Sequence, residues 1–338
     1  MADKLFEDIQ TSLKQKRAHL EQWRETTPEA KVQTQLGGKN DAAFQAHLQV
    51  IDNSIEKIEE GSLGVCQVCQ DMVDSPLLQM DYTSCICLGH FSDEELRQLE
   101  NELELSQVVQ RALLPQQAPI IEGMNIAAFS RPAQIVSGDY FDFPHFMDGT
   151  PGIVIADVSG HGVSAGMLMT SLQTAFHTLT PDTDSPSHVL ERINRLYIHN
   201  INMTTFVTTF FGKLDPQSRT LTYANAGHSV YLYRAASNDD VWLGPTGPAI
   251  GLVEEFSARQ SQVKLDAGDI LLLYTDGITE AFNAQHKQFG EEALANIVHQ
   301  NADSTAEGLI AKILQALNDF VGNSPLEDDV TMVVCKMR

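Results

Sequence analysis

From residue 118 to the C-terminus, short apolar runs follow one another with only turn signals between most of them. Turn-forming pairs such as Asp148-Gly149 and Asp215-Pro216 mark the breaks, and the runs include GIVIADVS, TTFVTTFFGKLD, RTLTYANA, DILLLYTD and DVTMVVCKM. Strands joined without an intervening helix pair in the antiparallel sense, because a parallel pair needs a long crossover. Helical patterns interrupt this texture at about 162–202 and 290–321. The pattern therefore predicts an α+β sandwich of antiparallel sheets with two helical layers.

The first 117 residues have a different, mostly helical texture. Within 1–60, apolar residues recur three or four apart on both sides of Gly37-Gly38. This spacing predicts two helices joined as an antiparallel hairpin, and the alternative is two helices that pack on something else. Residues 92–117 are predicted to form a linker helix, which begins with a capping box at Ser92 and Glu95.

The linker helix is predicted to stop at Pro115 and carries one apolar stripe, formed by Leu96, Leu99, Leu103 and Val109, with Leu105 and Val108 beside it. Such a stripe either packs on its own domain or forms a coiled coil with a second copy of the chain. The segment has few other neighbours along the sequence, which favours a homodimer.

Charge and hydropathy exclude two classes of partner. The chain has 45 Asp and Glu against 22 Lys and Arg, a formal net charge of −23, and both halves are acidic. Direct nucleic-acid binding is therefore not expected. No apolar run has the length of a membrane span, and the charged N-terminus MADKLFEDIQ lacks an apolar signal core. We therefore expect a cytoplasmic protein with no membrane contact.

Aspartates recur at the ends of predicted strands, in four segments of which three also contain glycine. The four segments are SGDYFD at 137–142, DVSGHG at 157–162, YTDG at 274–277 and EDDVT at 327–331. Asp157 and Asp276 each end an apolar run, where an ionised carboxylate is costly unless it is paired or metal-bound. Each segment alone is most simply a common Asp-Gly turn. Together, without matching Lys or Arg, they indicate a site for hard cations such as Mg²⁺ or Mn²⁺.

The motifs in 118–338 resemble those of the PPM metal-dependent protein Ser/Thr phosphatases, in the SpoIIE/RsbU branch. The resemblance rests on LLP at 113–115 and on SGDYFDF, ADVSGHGVSAGMLM, TTFVTTFFGKLD, LTYANAGHSVYLYR, GPAIGL, LLLYTDGITEA and EDDVTMVV. It implies an αββα sandwich of two antiparallel sheets flanked by helices, with two Mn²⁺ or Mg²⁺ ions at one edge.

The resemblance also implies a role for each motif aspartate. Asp157 would bridge both ions, and Asp139 and the backbone carbonyl of Val158 would ligate one of them. Asp276 and Asp328 would hold the other. These residues would form the catalytic centre, and Asp142 and Asp329 would orient ligands or metal-bound waters.

Two histidines near these motifs are not assigned catalytic roles. Where animal-type relatives have a proposed acid His, this chain has Ser159, and the His of the motif is His161. We interpret His161 as part of a strand-to-helix turn. His228, in NAGHS, is interpreted as a turn histidine held by backbone hydrogen bonds.

Four of the five cysteines lie within 22 residues, while Cys335 stands alone in an apolar strand pattern. In a chain expected to be cytoplasmic, a tight cluster favours metal over disulfides. Cys66 and Cys69 form a CxxC pair of the kind used in zinc sites. Cys85 and Cys87 are awkwardly spaced for one ion, because alternate strand residues point in opposite directions. The alternative is a set of reduced thiols.

The segment from about Ile55 to His90 resembles the zinc finger of DksA/TraR-type regulators, through IEEGSLGVCQVCQD and LLQMDYTSCICLGH, and predicts a finger domain over 61–91. Seventeen residues separate Cys69 from Cys87 and two separate Cys87 from His90, which matches that finger's spacing. The resemblance implies one Zn²⁺ per chain, held by Cys66, Cys69, Cys87 and His90, with Cys85 a spare thiol or alternative ligand.

The leading functional hypothesis is a phosphatase that hydrolyses phosphoserine or phosphothreonine on a regulatory protein, through a water activated by two metal ions. The resemblance suggests a small anti-sigma-antagonist-like substrate and regulation by the N-terminal region. The alternatives are a DksA-like transcription regulator that uses the phosphatase region as a scaffold, and a zinc or redox sensor whose output is dimerisation.

Overall fold

The structure is a computed structural model that describes residues 41–71, 73, 86–90, 92–160, 162–198, 206–254, 256–322, 326 and 328–338, together with Phe6, Gln10, Leu13, Lys14 and Arg17. It divides into two compact units. One comprises Met1–Leu105 with Val253–Glu255, and the other comprises Ser106–Leu252 with Phe256–Arg338. We call them the N-terminal unit and the catalytic unit.

Helix α1 (Asp41–Glu59) is the main described element of the N-terminal unit. Gln10 Nε2 donates to Glu59 Oε1 over 3.1 Å, while Arg17 Nε lies 2.5 Å from Asp52 Oδ1. Of these two contacts, the one made by the later residue of the N-terminal segment reaches the earlier residue of α1; the hairpin itself stays a prediction. The remaining residues of 1–40 lie outside the described part.

Helix α2 (Asp93–Leu113) begins after Ser92, whose carbonyl accepts the Leu96 N–H over 3.0 Å, and ends before Pro115. Both ends agree with the sequence prediction. The boundary between the two units falls inside this helix, between Leu105 and Ser106. None of the helices in the described residues combines the length and apolar composition that crossing a membrane requires.

The described part of the catalytic unit contains two five-stranded sheets, and every paired strand runs antiparallel to its neighbour. The first has the order β1-β10-β9-β6-β7, and the second has the order β2-β3-β4-β5-β8. The strands are β1 (Met124–Arg131), β2 (Asp139–Asp142), β3 (Gly152–Val158), β4 (Val207–Asp215), β5 (Thr220–Ala226), β6 (Val230–Arg234), β7 (Asp239–Trp242), β8 (Ser261–Lys264), β9 (Ile270–Tyr274) and β10 (Val330–Met337).

Helices cover the outer face of each sheet. They are α3 (Val163–Leu179), α4 (Pro186–Tyr197), α5 (Asp276–Thr279), α6 (Glu291–Gln300) and α7 (Ala306–Val321). The residues of α3 and α4 share a core with β3 and β4, and those of α6 and α7 share one with β9 and β10. This layering confirms the predicted αββα sandwich.

The burial of strand β3 on both faces explains why its sequence is continuously apolar. Ile153 and Ile155 point into the core between the sheets, whereas Val154 and Ala156 point toward the helices. All four are fully buried, because both faces of the strand are covered. Asp157 continues the inward series and so reaches the inter-sheet space at the edge of the sandwich.

Candidate active site and metal centres

Asp139 and Asp157 come together through the pairing of two neighbouring strands. Asp139 begins β2, and the register of β2 with β3 places it directly opposite Asp157. Residues opposite each other in a sheet project from the same face, so the two carboxylates are neighbours. Thr275, which follows β9, donates its hydroxyl to Asp139 Oδ2 over 2.9 Å and ties this pair to the other sheet.

Asp276 and Asp328 approach the same edge from the other sheet. Asp276 begins α5 directly after β9, and Asp328 precedes β10, the strand paired with β9. Between them Gly277 is required: a Cβ atom there would lie 2.0 Å from the Asp329 carbonyl oxygen. This close approach of the backbones is what lets the start of α5 pack against the turn that carries Asp328.

Burial and mutual repulsion make these carboxylates hard to ionise without a cation. Burial first, and then the charges of Asp276 and Asp328, raise the pKa of Asp157 to about 8. Burial and the nearby Asp157 also raise the pKa of Asp139 well above its usual range, and burial and Glu280 raise that of Asp276. In the described part of the chain, no Lys, Arg or His forms an ion pair with Asp139, Asp157 or Asp276.

An oxygen-only donor set with uncompensated charge fits hard divalent cations. The Val158 carbonyl adds a further oxygen, and a Cβ atom at Gly138 would lie 3.0 Å from it, so glycine permits the loop to approach. Among the described residues, the Cys/His cluster of the N-terminal unit is the one group of three or more such side chains compact enough to hold an ion as they stand, and these carboxylates are not part of it.

Asp329 is engaged with the loop that precedes Asp139. Its Oδ2 accepts the Ser137 hydroxyl over 2.7 Å and the Gly138 N–H over 2.8 Å, and its Oδ1 accepts the Ala133 N–H over 2.7 Å. Ser137 Oγ in turn accepts the backbone N–H of Asp139 over 3.0 Å. Asp329 therefore orients a predicted metal ligand through that ligand's own loop.

The sequence interpretation of Asp142 is wrong. Its Oδ2 accepts the Tyr140 hydroxyl over 2.9 Å and lies 2.7 Å from His177 Nε2, at the opposite end of β2 from the carboxylate cluster. Asp142 is three residues beyond Asp139, and an odd separation puts two strand residues on opposite faces. Its position in the motif suggested a proximity that the strand geometry does not allow.

His228 is a buried, neutral turn residue, as predicted. Asn225 accepts its backbone N–H over 2.8 Å and donates to its carbonyl over 2.9 Å, and burial lowers the pKa of the imidazole to about 3. Its Nδ1 lies 2.8 Å from Thr208 Oγ1, and Thr208 is the residue opposite Asp157 in β4. His228 thus supports the strand beside Asp157. His161 lies outside the described residues.

Ser159, which stands where animal-type relatives have the proposed acid, closes the end of β3. It donates its backbone N–H to the Phe206 carbonyl over 2.9 Å, and its hydroxyl accepts the Phe206 N–H over 2.8 Å. Both contacts join β3 to the start of β4. Ser159 therefore stabilises the pairing of the two strands at this edge of the sheet.

The predicted zinc ligands gather in the N-terminal unit. The ligand atoms of Cys66, Cys69, Cys87 and His90 all lie within 4.8 Å of one another. Cys66 Sγ accepts the N–H groups of Val68 and Cys87, each over 3.4 Å. Burial raises the pKa of the Cys66 thiol, but hydrogen bonds from the backbone of Cys69, Cys87 and Val68 outweigh burial and lower the pKa to about 6. Three sulfurs and one imidazole are a donor set that fits tetrahedral Zn²⁺; Cys85 lies outside the described residues.

Several residues that position the site carry no recognisable sequence signal. Thr275 stands next to Asp276 in a motif, but its bond to Asp139 spans 136 residues. Ser137 is bonded to Asp329 across 192 residues, and Gln110, in α2, is bonded to Ser137. For Ser137, the only sequence feature that could have indicated a role at the site is its position beside Gly138 and Asp139.

The comparisons agree with this architecture. A model of the family described as Stage II sporulation protein E (SpoIIE) matches residues 147–338. The chain is 29% identical over 246 residues to phosphoserine phosphatase RsbU of Bacillus subtilis, covering 72% of each protein.

Solved structures show the same fold. The SiaA-PP2C domain of Pseudomonas aeruginosa superposes with a TM-score of 0.64 at 21% identity, over 72% of this chain and 98% of that one. The RsbU and RsbW domains of Rv1364c from Mycobacterium tuberculosis give 0.57 at 27% identity, over 65% of this chain and 61% of that one. The family match, the relative named phosphoserine phosphatase and the shared fold define the class of protein, a PP2C-type protein serine/threonine phosphatase. Within that class, the chain belongs to the SpoIIE family.

Proposed function

We propose that the chain removes phosphate from phosphoserine or phosphothreonine on a small regulatory protein, with two Mn²⁺ or Mg²⁺ ions as cofactors. The observation that carries the proposal is Asp157: a half-buried carboxylate at a strand end, whose pKa is raised to about 8 by its removal from water first and then by the neighbouring carboxylates. Such a cluster is unfavourable without cations and is the donor set that hard cations need.

Each ligand has a proposed position. Asp157 would bridge the two ions, Asp139 and the Val158 carbonyl would complete one side, and Asp276 and Asp328 would complete the other. When bound, the ions would lower the pKa of a water and offset the charge on the phosphoryl oxygens. Thr275 and Asp329 would hold the Asp139 side in place through the hydrogen bonds described above.

The substrate class is proposed from the relatives. RsbU bears the name phosphoserine phosphatase, and the Rv1364c structure joins an RsbU domain to an RsbW domain. An anti-sigma-antagonist-like phosphoprotein is therefore the substrate we expect, and the acidic surface argues against nucleic acid as a partner. We place this activity in the cytoplasm.

The N-terminal unit is proposed to bind one Zn²⁺ per chain and to regulate the enzyme. Dimerisation through α2 is part of this proposal, because apolar side chains on that helix are exposed: Leu105 is 63% exposed, Val108 62% and Val109 53%. Within the stripe predicted from the sequence, Leu99 and Val109 are exposed, whereas Leu96 and Leu103 are half-buried.

The test of the proposed activity is release of phosphate from a phosphoseryl protein by the full-length chain, stripped of metal with a chelator and then supplied with Mn²⁺ or Mg²⁺. We expect no hydrolysis in the chelator and recovery on adding either ion. Hydrolysis that persists undiminished in the chelator, or its absence at every metal concentration, would overturn the proposal.

A further inference from the structure

Gln110 is a buried amide in the last turn of α2, with only 7% of its surface exposed. Its Nε2 donates to the Ser137 carbonyl over 2.7 Å, and its Oε1 accepts the Ser137 N–H over 2.9 Å. Both backbone groups of one loop residue are therefore satisfied by one side chain. A two-point contact of this kind fixes the orientation of the loop as well as its distance from the helix.

Ser137 connects this contact to the carboxylate cluster. Its hydroxyl donates to Asp329 Oδ2 over 2.7 Å and accepts the Asp139 N–H over 3.0 Å. The path from α2 to the backbone of a proposed metal ligand is thus two hydrogen-bonded steps, and every group along it is buried. A displacement of Ser137 changes the position of Asp139, because only Gly138 separates them.

Close packing on the other side leaves Gln110 little freedom. A Cβ atom added to Gly166 of α3 would lie 3.1 Å from Gln110 Nε2 and 3.2 Å from Val136. The amide therefore occupies a slot between α3 and the loop. If α2 turned by one residue, about 100° about its axis, both hydrogen bonds would break and two buried backbone groups would lose their partners.

We propose that Gln110 is a positioning residue that holds Asp139 opposite Asp157 and thereby sets the affinity of the site for Mn²⁺ or Mg²⁺. The proposal rests on the metal site of the proposed function. It gives the proposed regulation a physical route, because the orientation of the last turn of α2 decides whether Ser137 is held.

Gln107 offers a matched control on the same helix. Its Nε2 donates to the Ile135 carbonyl over 2.8 Å, at the surface, and it has no bond to Ser137. Changing Gln107 removes a helix-to-loop hydrogen bond of the same kind without touching the path to Asp139.

The experiment compares Gln110→Glu and Gln110→Ala with Gln107→Glu and Gln107→Ala in the full-length protein. Glutamate has the shape of glutamine but faces the Ser137 carbonyl with a second acceptor. Mn²⁺ binding is measured directly, by calorimetry or by the resonance signal of free Mn²⁺, and thermal unfolding is recorded without metal. We expect the Gln110 variants to bind Mn²⁺ roughly tenfold or more weakly, a change of about 1.4 kcal/mol. With Mn²⁺ saturating, kcat should change far less, and the Gln107 variants should bind as the wild type does.

A folded Gln110 variant with unchanged Mn²⁺ affinity would overturn the proposal, as would equal weakening in the Gln107 variants. Should the Gln110 variants fail to fold, Ser137→Ala interrupts the same path at its second step and should weaken Mn²⁺ binding likewise; unchanged binding there also overturns it. Because binding is read without turnover, wild-type protein that binds Mn²⁺ but releases no phosphate would reject the proposed function while leaving this inference intact.

Discussion

At the residue scale, the site is marked by carboxylates without a basic partner: Asp139 is buried and Asp157 half-buried, and neither forms an ion pair with Lys, Arg or His in the described part of the chain. Two buried acids outside the site do have such partners: Asp269 pairs with Arg234 over 2.7 Å, and Asp142 lies 2.7 Å from His177 Nε2. At Asp157, the neighbours are further acids. Folding keeps these carboxylates close together, so their repulsion lowers the stability of the metal-free protein. This loss of stability can be measured before any metal is added.

Asp157 should make the metal-free protein less stable as pH rises. Its pKa is raised to about 8 in the folded chain, against about 3.9 when unfolded, so the folded state binds this proton more tightly. Stability therefore falls with rising pH between those values, and the loss is complete above about pH 8. We expect the Tm of the chelated protein to fall from about pH 5.5 to about pH 8.5, and Asp157→Asn to show a shallower fall. Identical slopes for the two proteins would contradict this account.

The sequence located the carboxylates but not what holds them. Asp139, Asp157, Asp276 and Asp328 stand in short motifs that can be read locally, and the structure brings their strand ends to one edge. The hydrogen bonds that position these carboxylates could not be predicted from the sequence, because they join residues that are distant along the chain. Asp142 shows the opposite error, since nearness in sequence was taken for nearness in space.

At the scale of elements, most strands were recognisable in the sequence as apolar runs, but two four-residue strands were not. The five residues of β9 are all buried, and their apolar run was recognised. The strands β2 and β7 were absent from the predicted runs. Each has four residues; β7 is fully exposed, and β2 begins and ends with aspartate. Pairing with a neighbour forms such strands, and pairing is not visible in a single segment.

The finger segment should retain one zinc ion per chain after anaerobic purification. Cys69→Ser should lose it, because a finger this small depends on the metal for its fold. Cys335→Ala is the matched control, since Cys335 is a buried thiol of β10 remote from the cluster in sequence and should leave zinc unchanged. Elemental analysis decides between these outcomes. Wild type without zinc would refute the site, and loss of zinc in Cys85→Ser but not in His90→Ala would show that the ligand set is wrong.

The exposed apolar face of α2 should mediate self-association. Leu105, Val108 and Val109 follow a spacing of three and four, so they share one face of the helix. We expect Leu105→Gln with Val108→Gln to lower dimer content and basal activity together. Glu100→Gln, on the opposite face, should change neither. Sedimentation at several protein concentrations provides the measurement, and a monomeric wild type or an unaffected double variant would contradict the prediction.

For the whole molecule, the order of motifs along residues 118–338 was enough to predict the sandwich, because each motif marks a strand end in a fixed succession. The boundary between the units was not predictable in the same way. It falls between Leu105 and Ser106, inside α2, so the last turns of this helix belong to the catalytic unit. A fragment that begins at residue 118 would lack Gln110, and it would test the sandwich without one of its positioning contacts.

Asp157→Asn in the full-length protein at saturating Mn²⁺ tests the central claim most directly, with phosphate release from a phosphoseryl protein as the readout. Asp215→Asn is the control, because Asp215 is a half-buried residue at the end of β4 whose carboxylate accepts hydrogen bonds from Gln217 and Ser218 and is not among the proposed metal ligands. We expect the control to match wild type. Asp157→Asn should lose activity by a factor on the order of a hundred or more, as removal of a group that stabilises transition-state charge typically does. Retention of more than about a tenth of the wild-type rate would contradict a two-metal centre bridged by Asp157.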